Sequence, residues 1–282
     1  MKKLVLVDGS NLLFQMFYGM PARIVNRQGR PIHGTIGFIG ALLKIFRMLE
    51  PTHAAVLFDG ECSNPRHLAD PDYKANREDY SLLPEEETPF SQLPDIFAAL
   101  DHLGISWAET TDCETDDWMA SYAKRCGADW QLTIVSQDSD YFQLIDEKTS
   151  VLRYRGEASV LWNGACLSAK LGIAPEQYAA FKSLTGDVSD NIRGVEKVGP
   201  KTAAALLRQF GDLETLLARC EEIPKPSVRK AVAENRQRIL KNYALIRLDG
   251  RHPVPFEPES LTYTPSGLSS TQVLRAVGVL DT

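Results

Sequence analysis

Three short apolar runs punctuate the first half of the chain, and each of them ends at an acidic residue. They are "KKLVLVDG" (residues 2–9), "THAAVLFDG" (52–60) and "WQLTIVSQDSD" (130–140). Branched apolar runs of this length, without polar alternation, are typical of strands buried on both faces of a parallel sheet. The pattern therefore predicts three central strands whose carboxyl ends carry Asp8, Asp59, Asp138 and Asp140.

Between these runs the apolar residues recur every three or four positions, which is the period of an amphipathic helix. The helical stretches are residues 34–50, 91–103 and 115–126. Strands that alternate with helices predict an α/β fold, in this case a doubly wound, mainly parallel sheet over residues 1–165 with helices on both faces.

The second half of the chain has a different pattern. From about residue 170 to 247 the apolar period is helical throughout, which predicts a helical domain over residues 166–248. Residues 250–268 are rich in Pro, Ser and Thr, which predicts a surface connection, and residues 269–280 form a short amphipathic segment. We expect residues 249–282 to form a C-terminal extension that packs back on the body.

One polar stretch interrupts the α/β pattern between two well-defined elements. It is "GECSNPRHLADPDYKANREDYSLLPEEETPF", residues 60–90, and it is charged and poor in core residues. Long irregular insertions in compact domains are mostly functional or disordered. We therefore expect this insertion to serve the functional site or to lack fixed structure.

Composition narrows the class of protein. The 282 residues are 44% hydrophobic and 24% charged, and no apolar stretch reaches the roughly 20 residues that a membrane span requires. The basic N-terminus meets Asp8 too soon for a secretory signal, so we expect a cytoplasmic protein without membrane contact. The five histidines are scattered, which argues against a histidine-based metal site. The five cysteines lack zinc-binding spacing, and their odd number argues against a disulfide framework, so reduced thiols are expected: Cys62, Cys113, Cys126, Cys166 and Cys220.

The charge pattern matters more than the net charge of −6, which by itself would argue against a nucleic-acid partner. Acidic residues are paired in "ETDD", "DSD" and "DVSD", whereas Lys and Arg collect in "YKANR" and "RGVEKVGPKTAAALLRQF". This segregation predicts one site for cations and another for a polyanion.

Nine carboxylates are expected to line one cleft, because ligands bind at the carboxyl ends of the strands in an open parallel sheet. Glu114 and Asp117 share a helix face, and Asp187 and Asp190 do so if their segment is helical. The full set is Asp8, Asp59, Glu114, Asp116, Asp117, Asp138, Asp140, Asp187 and Asp190.

Two unit charges about 4 Å apart repel by roughly 4 kcal/mol at an effective dielectric near 20, so such a cluster calls for cations. All-oxygen ligation favours two or more Mg²⁺ or Mn²⁺ ions, which suit the hydrolysis of a phosphodiester.

Each acid has an ordinary alternative explanation when it is taken alone. An aspartate at a strand end is more often a cap or turn residue than a ligand, and "SQDSD" alone is compatible with a polar turn. Acids in the first turn of a helix are favoured by the helix dipole. No single acid indicates a metal centre, but the joint occurrence of all nine carboxylates does.

Two basic segments are candidates for holding phosphate. "DYKANRED" places Lys74 and Arg77 three residues apart, on one face of a helical turn, where they can grip a phosphate while the adjacent Tyr73 stacks on a displaced base. The alternative is a solvated charged turn.

"GVEKVGPKTAAALL" resembles a helix-hairpin-helix clamp for the phosphate backbone, which binds DNA independently of sequence. The alternative is a helix C-cap followed by an N-terminal proline. The candidate contacts in this segment are Gly194, Lys197, Gly199, Lys201 and Thr202.

With these motifs the chain resembles the 5′ nuclease family, which comprises the N-terminal 5′-3′ exonuclease domain of bacterial DNA polymerase I, phage 5′ nucleases and flap endonucleases. The motifs follow the family's order over about residues 1–248: "LVDGSNLLF", "VLFDG", "DYKANR", "ETDDWMA", "SQDSDYFQL" and "TGDVSDNIRGVEKVGPKTAAALL". The resemblance implies a PIN-like nuclease domain with an arch insertion at about 60–90, followed by a helix-three-turn-helix DNA-binding domain. We expect a standalone monomer with no polymerase domain attached.

The resemblance also implies roles for individual residues. Asp8, Asp59, Glu114, Asp116 and Asp138 would belong to a first metal site, and Asp117, Asp140, Asp187 and Asp190 would belong to or support a second. Lys74 and Arg77 would lie on a helical arch that is threaded by a single strand. Residues 194–207 would hold downstream duplex, with K⁺ bound by loop carbonyls in some members. The chain departs from the family at Gln15, where an arginine is common.

The expected function is a metal-dependent 5′-3′ exonuclease or flap endonuclease that acts on branched or 5′-ended DNA, with RNA-DNA primers as a further substrate, in replication and repair. Lys74, Arg77, Asp116 and Asp138 are the expected catalytic residues. Two alternatives remain open: a structure-specific DNA-binding protein that does not cut, and a small-molecule phosphohydrolase, which would leave residues 183–207 without a role.

Overall fold

A computed structural model gives the fold of residues 1–60 and 65–281. Within these residues a six-stranded sheet has the order β3-β2-β1-β4-β5-β6, and all neighbours are parallel except the antiparallel pair β5 and β6. The strands are β1 (Lys2–Asp8), β2 (His53–Phe58), β3 (Ser106–Glu109), β4 (Trp130–Val135), β5 (Thr149–Arg153) and β6 (Val160–Trp162).

This topology confirms the predicted doubly wound sheet. The chain runs outward from β1 through β2 to β3 and then returns to the other side of β1 as β4, so a crevice opens between the carboxyl ends of β1 and β4. Strands β3, β5 and β6 were not predicted, because they are three to five residues long and too short to show a period.

Helices cover both faces of the sheet, as predicted. Alternate residues of β1 separate the two layers: Val5 and Val7 pack with α1, α2 and α4, whereas Leu4 and Leu6 pack with α5 and the helices that follow the sheet. The first five helices are α1 (Gly9–Gly19), α2 (His33–Leu49), α3 (Pro65–Ala69), α4 (Leu93–Leu103) and α5 (Thr115–Arg125).

Only part of the 60–90 insertion is helical. Short helix α3 is followed by turns at residues 71–76 and by three single 3-10 turns at Tyr80–Leu82, Glu85–Glu87 and Pro89–Gln92. The expectation of a helical turn carrying both Lys74 and Arg77 is wrong, because Lys74 has a φ of 59° in the left-handed region and begins a tight turn instead. Cys62 lies outside the described residues.

The helical pattern after the sheet corresponds to six helices: α6 (Gly164–Leu171), α7 (Tyr178–Thr185), α8 (Pro200–Phe210), α9 (Leu213–Ala218), α10 (Pro226–Glu234) and α11 (Arg236–Ile246). It is not helical throughout, however. A small hairpin, β7 (Gly186–Asp187) and β8 (Ile192–Arg193), separates α7 from α8. Asp187 and Asp190 therefore lie on this hairpin and not on one face of a helix, which corrects the expectation for that pair.

The last segment returns to the sheet. The Pro, Ser and Thr-rich connection is more than a surface link: Leu261 is 1% exposed, its carbonyl accepts from the Ala54 N–H at 2.9 Å, and the Tyr263 N–H donates to the Thr52 carbonyl at 2.9 Å. Beyond it, α12 (Ser270–Ala276) buries Val273 and Leu274 in the core with α2 and α4. No helix among the described residues is both apolar and long enough to cross a membrane.

Candidate active site

The ends of β1 and β4 place the first acids together. Asp8 is the last residue of β1 and caps α1, where its Oδ1 accepts from the Asn11 N–H at 2.9 Å. Its Oδ2 accepts from the Ser136 hydroxyl at 2.9 Å, and the same Ser136 Oγ accepts from the Asp138 N–H at 3.0 Å. One serine thus links the acids of the two central strands across the crevice.

Asp59 and the α5 acids meet at the next strand end. The Asp59 carboxylate follows β2 and accepts from the Thr115 N–H at 2.9 Å, which brings it to the first turn of α5. Arg66, from α3, forms ion pairs with three acids of that turn: Glu114, Asp116 at 3.3 Å and Asp117 at 2.7 Å. Glu114 and Asp117 therefore do face the same side, as their spacing predicts.

The hairpin acids close the cluster. The Tyr73 hydroxyl lies 3.4 Å from Glu114 Oε2 and 3.4 Å from Asp190 Oδ2, which joins the α5 turn to the hairpin. Asp138 Oδ1 accepts from the Asp140 N–H at 2.8 Å. The charge of Asp59 acts on the buried Asp8, and the charges of Asp187 and Asp190 act on Asp138 and Asp140. With these links the nine predicted acids lie in one region at the carboxyl edge of the sheet.

Shifts in pKa separate six of the nine acids into two groups. Burial raises the pKa of Asp8 to about 7, with a further contribution from the Asp59 charge. Burial also raises the pKa of Asp116, Asp138 and Asp140, and in each of these three the charges of neighbouring acids add to the effect. The surroundings of these four carboxylates therefore favour a bound proton or a bound metal ion over an uncompensated negative charge.

Two other acids are held in the charged form. Burial acts to raise the pKa of Glu114, but the charges of Lys74 and Arg66 outweigh it and the pKa lies below its usual value. Burial opposes the ionised Asp187 in the same way, and its ion pair with Lys182 brings the pKa below the usual value. The internal cations therefore neutralise only part of the cluster.

The donor set fits hard divalent cations. It consists of carboxylate oxygens, which are the ligands that Mg²⁺ and Mn²⁺ prefer. Asp140 Oδ1 is buried and has no hydrogen-bond partner within residues 1–60 and 65–281. A buried carboxylate oxygen without a donor is costly, and a bound cation would remove that cost.

The predicted phosphate contacts of the insertion are ion-paired within the cluster. Lys74 pairs with Glu114, and Arg77 Nη2 lies 2.8 Å from Asp190 Oδ1. The stacking role expected for Tyr73 does not fit the structure. Its side chain is 3% exposed, with the Lys74 ammonium 4.8 Å from the ring centroid, so the ring offers no free face to a base.

Residues 70–77, which we call the 70–77 turn, are fastened to the hairpin and to α11. The Lys74 N–H donates to the Asp190 carbonyl at 3.0 Å, and the Asn76 amide donates to the Val188 carbonyl at 2.9 Å. Lys241 of α11 pairs with Asp70 at 2.8 Å. Beside this contact a cleft of about 310 Å³ lies between the turn, the hairpin and α11. The position of the 70–77 turn is therefore fixed by contacts with elements that are distant in sequence.

Residues 194–202, which we call the glycine-lysine loop, lead into the first turn of α8. The two glycines of this loop differ in what surrounds them. A Cβ on Gly194 would lie 2.3 Å from the backbone carbonyl of Thr185, so this glycine allows two backbones to pack. A Cβ on Gly199 would meet nothing within 4 Å, and this glycine is the N-cap of α8. Of the two, Gly199 is the one that leaves the helix N-terminus open to an anion.

The lysines of this loop are exposed, whereas two valines hold the loop to the body. Lys197 and Lys201 lie at the surface, and Val195 and Val198 are buried. Thr202 is half-buried in the first turn of α8. The two exposed lysines are of a residue type that binds phosphate, although the exposed acid Glu196 lies beside Lys197.

Sequence reasoning missed four side chains of the site: Arg66, Ser136, Tyr141 and Lys182. The Tyr141 hydroxyl donates to Asp8 Oδ2 at 3.0 Å and is fully enclosed. Lys182 belongs to a helical pattern, in which a lysine is expected to lie at the exposed surface. Ser136, Tyr141 and Lys182 each lie within five residues of a predicted acid, whereas Arg66 lies seven residues from the nearest predicted site residue and had no such signal.

The acidic cluster lies at the crevice between the carboxyl ends of β1 and β4 in a doubly wound sheet. This position and the carboxylate donors place it in the class of sites that bind divalent metal ions through oxygen ligands. The family comparison is more specific. Residues 3–172 match the family described as "5'-3' exonuclease, N-terminal resolvase-like domain", and residues 173–267 match "5'-3' exonuclease, C-terminal SAM fold". The chain belongs to the 5′-3′ exonuclease family, which confirms the resemblance found in the sequence.

Known relatives and solved structures agree with this assignment. DNA polymerase I of Rhizobium leguminosarum is 34% identical over 272 residues, which are 93% of this chain and 26% of the relative. DNA polymerase I of Bacillus subtilis (strain 168) is 33% identical over 276 residues, which are 97% of this chain and 30% of the relative. The chain thus spans less than a third of the length of these relatives.

Two solved structures share the fold at low identity. A T5 5′-exonuclease structure with bound zinc has a TM-score of 0.72 at 22% identity and covers 98% of this chain and 94% of its own. The catalytic core of Rad2 in complex with DNA substrate has a TM-score of 0.61 at 16% identity, over 98% and 93% of the two chains. They confirm the α/β architecture with its helical C-terminal part.

Proposed function

We propose that this chain is a structure-specific 5′ nuclease, a 5′-3′ exonuclease or flap endonuclease that hydrolyses phosphodiester bonds in branched or 5′-ended DNA during replication and repair. The observation that carries the proposal is the meeting of nine carboxylates at the sheet's carboxyl edge, beside a loop with an open helix N-terminus. The metal ions and the DNA substrate named for the T5 and Rad2 structures support it by likeness of fold.

Two Mg²⁺ or Mn²⁺ ions are the cofactors proposed, because the donors are oxygens only. Such ions supply an activated water and neutralise charge on the scissile phosphate. The residues proposed to hold the first are Asp8, Asp59, Glu114, Asp116 and Asp138, and those proposed for the second are Asp117, Asp140, Asp187 and Asp190. Asp116 and Asp138 are the ones we place closest to the chemistry.

The cations of the 70–77 turn are proposed to exchange partners when substrate binds. Lys74 and Arg77 pair with Glu114 and Asp190, and both lie where a phosphate held over the acids would also be within reach. Transfer of these two side chains to the phosphoryl oxygens would offset the charge that develops there. Their present ion pairs keep them oriented toward the cluster.

The glycine-lysine loop is proposed to hold duplex at a second place. Lys197 and Lys201 offer exposed cations, and we propose that Gly194, Gly199 and Thr202 supply backbone N–H groups. Such groups grip phosphates without reading bases. K⁺ bound by loop carbonyls is a further proposal for this loop. Recognition of two phosphates at separate places would select DNA by shape.

The proposal includes an organisation of the chain and its setting. The nuclease domain is residues 1–165, the DNA-binding domain is residues 166–248, and residues 249–282 are a C-terminal extension. We propose that the protein acts as a monomer in the cytoplasm, on 5′ flaps and nicked duplex and also on RNA-DNA primers.

The test is a product-length assay on a 5′-labelled flap, with nicked and blunt duplex for comparison, in Mg²⁺ and Mn²⁺. Asp138→Asn should lower the single-turnover rate at least about 100-fold. Asp129→Asn is the matched control, because Asp129 precedes β4 at the opposite edge of the sheet and is 64% exposed. Near-normal cleavage by Asp138→Asn would overturn the proposal.

A DNA-binding protein that does not cut is the second candidate, and one contact favours it. Gln15 stands where the family commonly has a cation, and its Nε2 donates to the Tyr154 carbonyl at 2.8 Å. A phosphate contact is therefore lost at this position. Tight flap binding without cleavage in either metal would support this candidate, and cleavage would exclude it.

A further inference from the structure

A second group of metal-binding side chains lies apart from the nine acids. Asp112, Cys113 and His252 each offer one ligand atom, and these three atoms lie within 4.8 Å of one another. Cys113 is buried, His252 is half-buried and Asp112 is exposed. The three residues come from two segments of the chain that are about 140 residues apart.

We propose that Asp112, Cys113 and His252 bind one borderline-soft divalent cation of the Zn²⁺ or Co²⁺ type. Thiolate, imidazole and carboxylate together are the donors that Zn²⁺ prefers, whereas Mg²⁺ avoids sulfur. This site is distinct in chemistry from the all-oxygen cluster and does not depend on the nuclease function.

The spacing of the three atoms is close to what such an ion requires. A tetrahedral ion with bonds of about 2.0–2.3 Å holds its ligand atoms roughly 3.3–3.8 Å apart. Side-chain rotations that move the atoms by about 1 Å are enough to reach that geometry from the observed separation. The exposed Asp112 leaves an entry path and room for a water as fourth ligand.

Both segments are fixed to the same turn of α5, so the backbone already holds the ligands close. Asp112 and Cys113 directly precede Glu114, which is the N-cap of α5. On the other segment the Asp249 N–H donates to Asp117 Oδ1 at 2.7 Å. A Cβ on Gly250 would lie 2.8 Å from the Ala120 carbonyl, so the turn that carries His252 packs tightly on α5.

A carboxylate also accompanies the histidine. Asp249 Oδ2 lies 4.0 Å from His252 Nε2. This distance is too long for a hydrogen bond, and Asp249 also pairs with Arg251 at 2.7 Å, so the carboxylate adds negative charge beside the histidine but does not fix its ring. A bound ion would tie the 249–252 turn to the residues before α5, one position away from Glu114.

The experiment is titration of the whole protein with Co²⁺ in the presence of excess Mg²⁺, with the ultraviolet absorption recorded. We expect one equivalent of Co²⁺ to produce a thiolate-to-cobalt charge-transfer band, and Zn²⁺ to abolish it. Cys113→Ser should remove the band, and Cys126→Ser, which changes another buried thiol, should keep it. Absence of the band in the wild-type protein, or its survival in Cys113→Ser, would overturn the proposal.

A second variant protects the test against misfolding of Cys113→Ser. His252→Gln changes a half-buried side chain and should weaken Co²⁺ binding at least tenfold while the band remains at saturation. Unchanged Co²⁺ affinity in His252→Gln would remove histidine from the site and contradict the proposal. Because absorption is measured and not cleavage, the result is independent of nuclease activity.

Discussion

Arg66 Nη2 lies 2.7 Å from Asp117 Oδ1, and the same guanidinium also pairs with Glu114 and Asp116. Burial acts to lower the pKa of Arg66, but the charges of these acids outweigh it and the pKa lies above its usual value. One cation from the insertion therefore holds three carboxylates of the α5 turn together.

Arg66→Gln should destabilise the metal-free protein by about 3 kcal/mol, because removal of one partner of a buried ion pair leaves uncompensated charge. Urea unfolding in EDTA measures this loss. Mg²⁺ should restore part of the stability, since it neutralises the same acids. Arg125→Gln, which breaks the exposed pair with Glu257, is the control and should cost less than about 1 kcal/mol. Equal losses in the two variants would show that Arg66 does not neutralise the turn.

Asp8 should make the metal-free protein less stable as the pH rises. Burial raises the pKa of Asp8 from 3.8 to about 7, so between these values the folded state holds a proton that the unfolded state has released. Stability therefore falls as pH rises from about 4 to 7, by up to about 4 kcal/mol for this group.

Asp8→Asn should remove that part of the slope and make the protein more stable than wild type at pH 8 in EDTA. Urea unfolding at pH 5 and pH 8 gives the comparison, and Asp129→Asn is the control whose slope should match wild type. A slope in Asp8→Asn identical to that of wild type would contradict the assignment of the shift to this residue.

The two glycines of the loop before α8 should respond differently to alanine. Gly194→Ala places a methyl group 2.3 Å from the Thr185 carbonyl group, so we expect a loss of stability of at least about 2 kcal/mol. Gly199→Ala meets no atom within 4 Å and should leave thermal unfolding nearly unchanged.

Duplex binding provides the second measurement on this pair. Gly199→Ala should weaken binding to duplex severalfold in low salt, because its methyl group stands at the open N-terminus of α8. Full duplex affinity in Gly199→Ala would argue that phosphate does not approach there.

Lys74→Met should lower the single-turnover cleavage rate about 100-fold with less than a threefold change in flap affinity, since the ammonium is proposed to act on charge that develops during reaction. Rapid-quench kinetics separates the two quantities. Lys170→Met is a suitable control, because Lys170 of α6 places its ammonium 4.4 Å from the centroid of the Trp162 ring in β6 and lies outside the proposed site. If affinity falls as much as the rate, Lys74 serves binding alone.

Three of the acids were accessible to sequence reasoning, because Asp8 ends a buried strand and Asp59 and Asp138 come just after one. The carboxyl ends of neighbouring parallel strands lie at the same edge of the sheet, so the positions of these three acids predict that they lie close together. Glu114 and Asp117 were accessible for a similar reason, since helical spacing fixes a face.

Other parts of the site had no such signal. A shared helix face was considered for Asp187 and Asp190, on the condition that their segment is helical, and two-residue strands show no period that would have excluded it. Arg66 lies in a five-residue helix within a polar stretch. The sequence of so short a helix does not indicate which side of it is buried or which residues it contacts. Tyr73 looked like an exposed stacking residue beside charges, whereas burial of its ring depends on contacts with residues more than 40 positions away.

The attachment of the 70–77 turn to the hairpin has a consequence for the order of events in folding. The two bonds made by the side chains of Asn76 and Asn191 join residues 112 and 119 positions apart in the chain. Closing so long a segment of chain costs entropy, so we expect these contacts to form after the local ones. During synthesis the sheet and its acids can be complete while Lys74 and Arg77 still lack their anchor. A partly made chain would therefore hold the acids of the sheet without Asp187 and Asp190, and the hairpin that anchors Lys74 and Arg77 is complete only after residue 193 has been added.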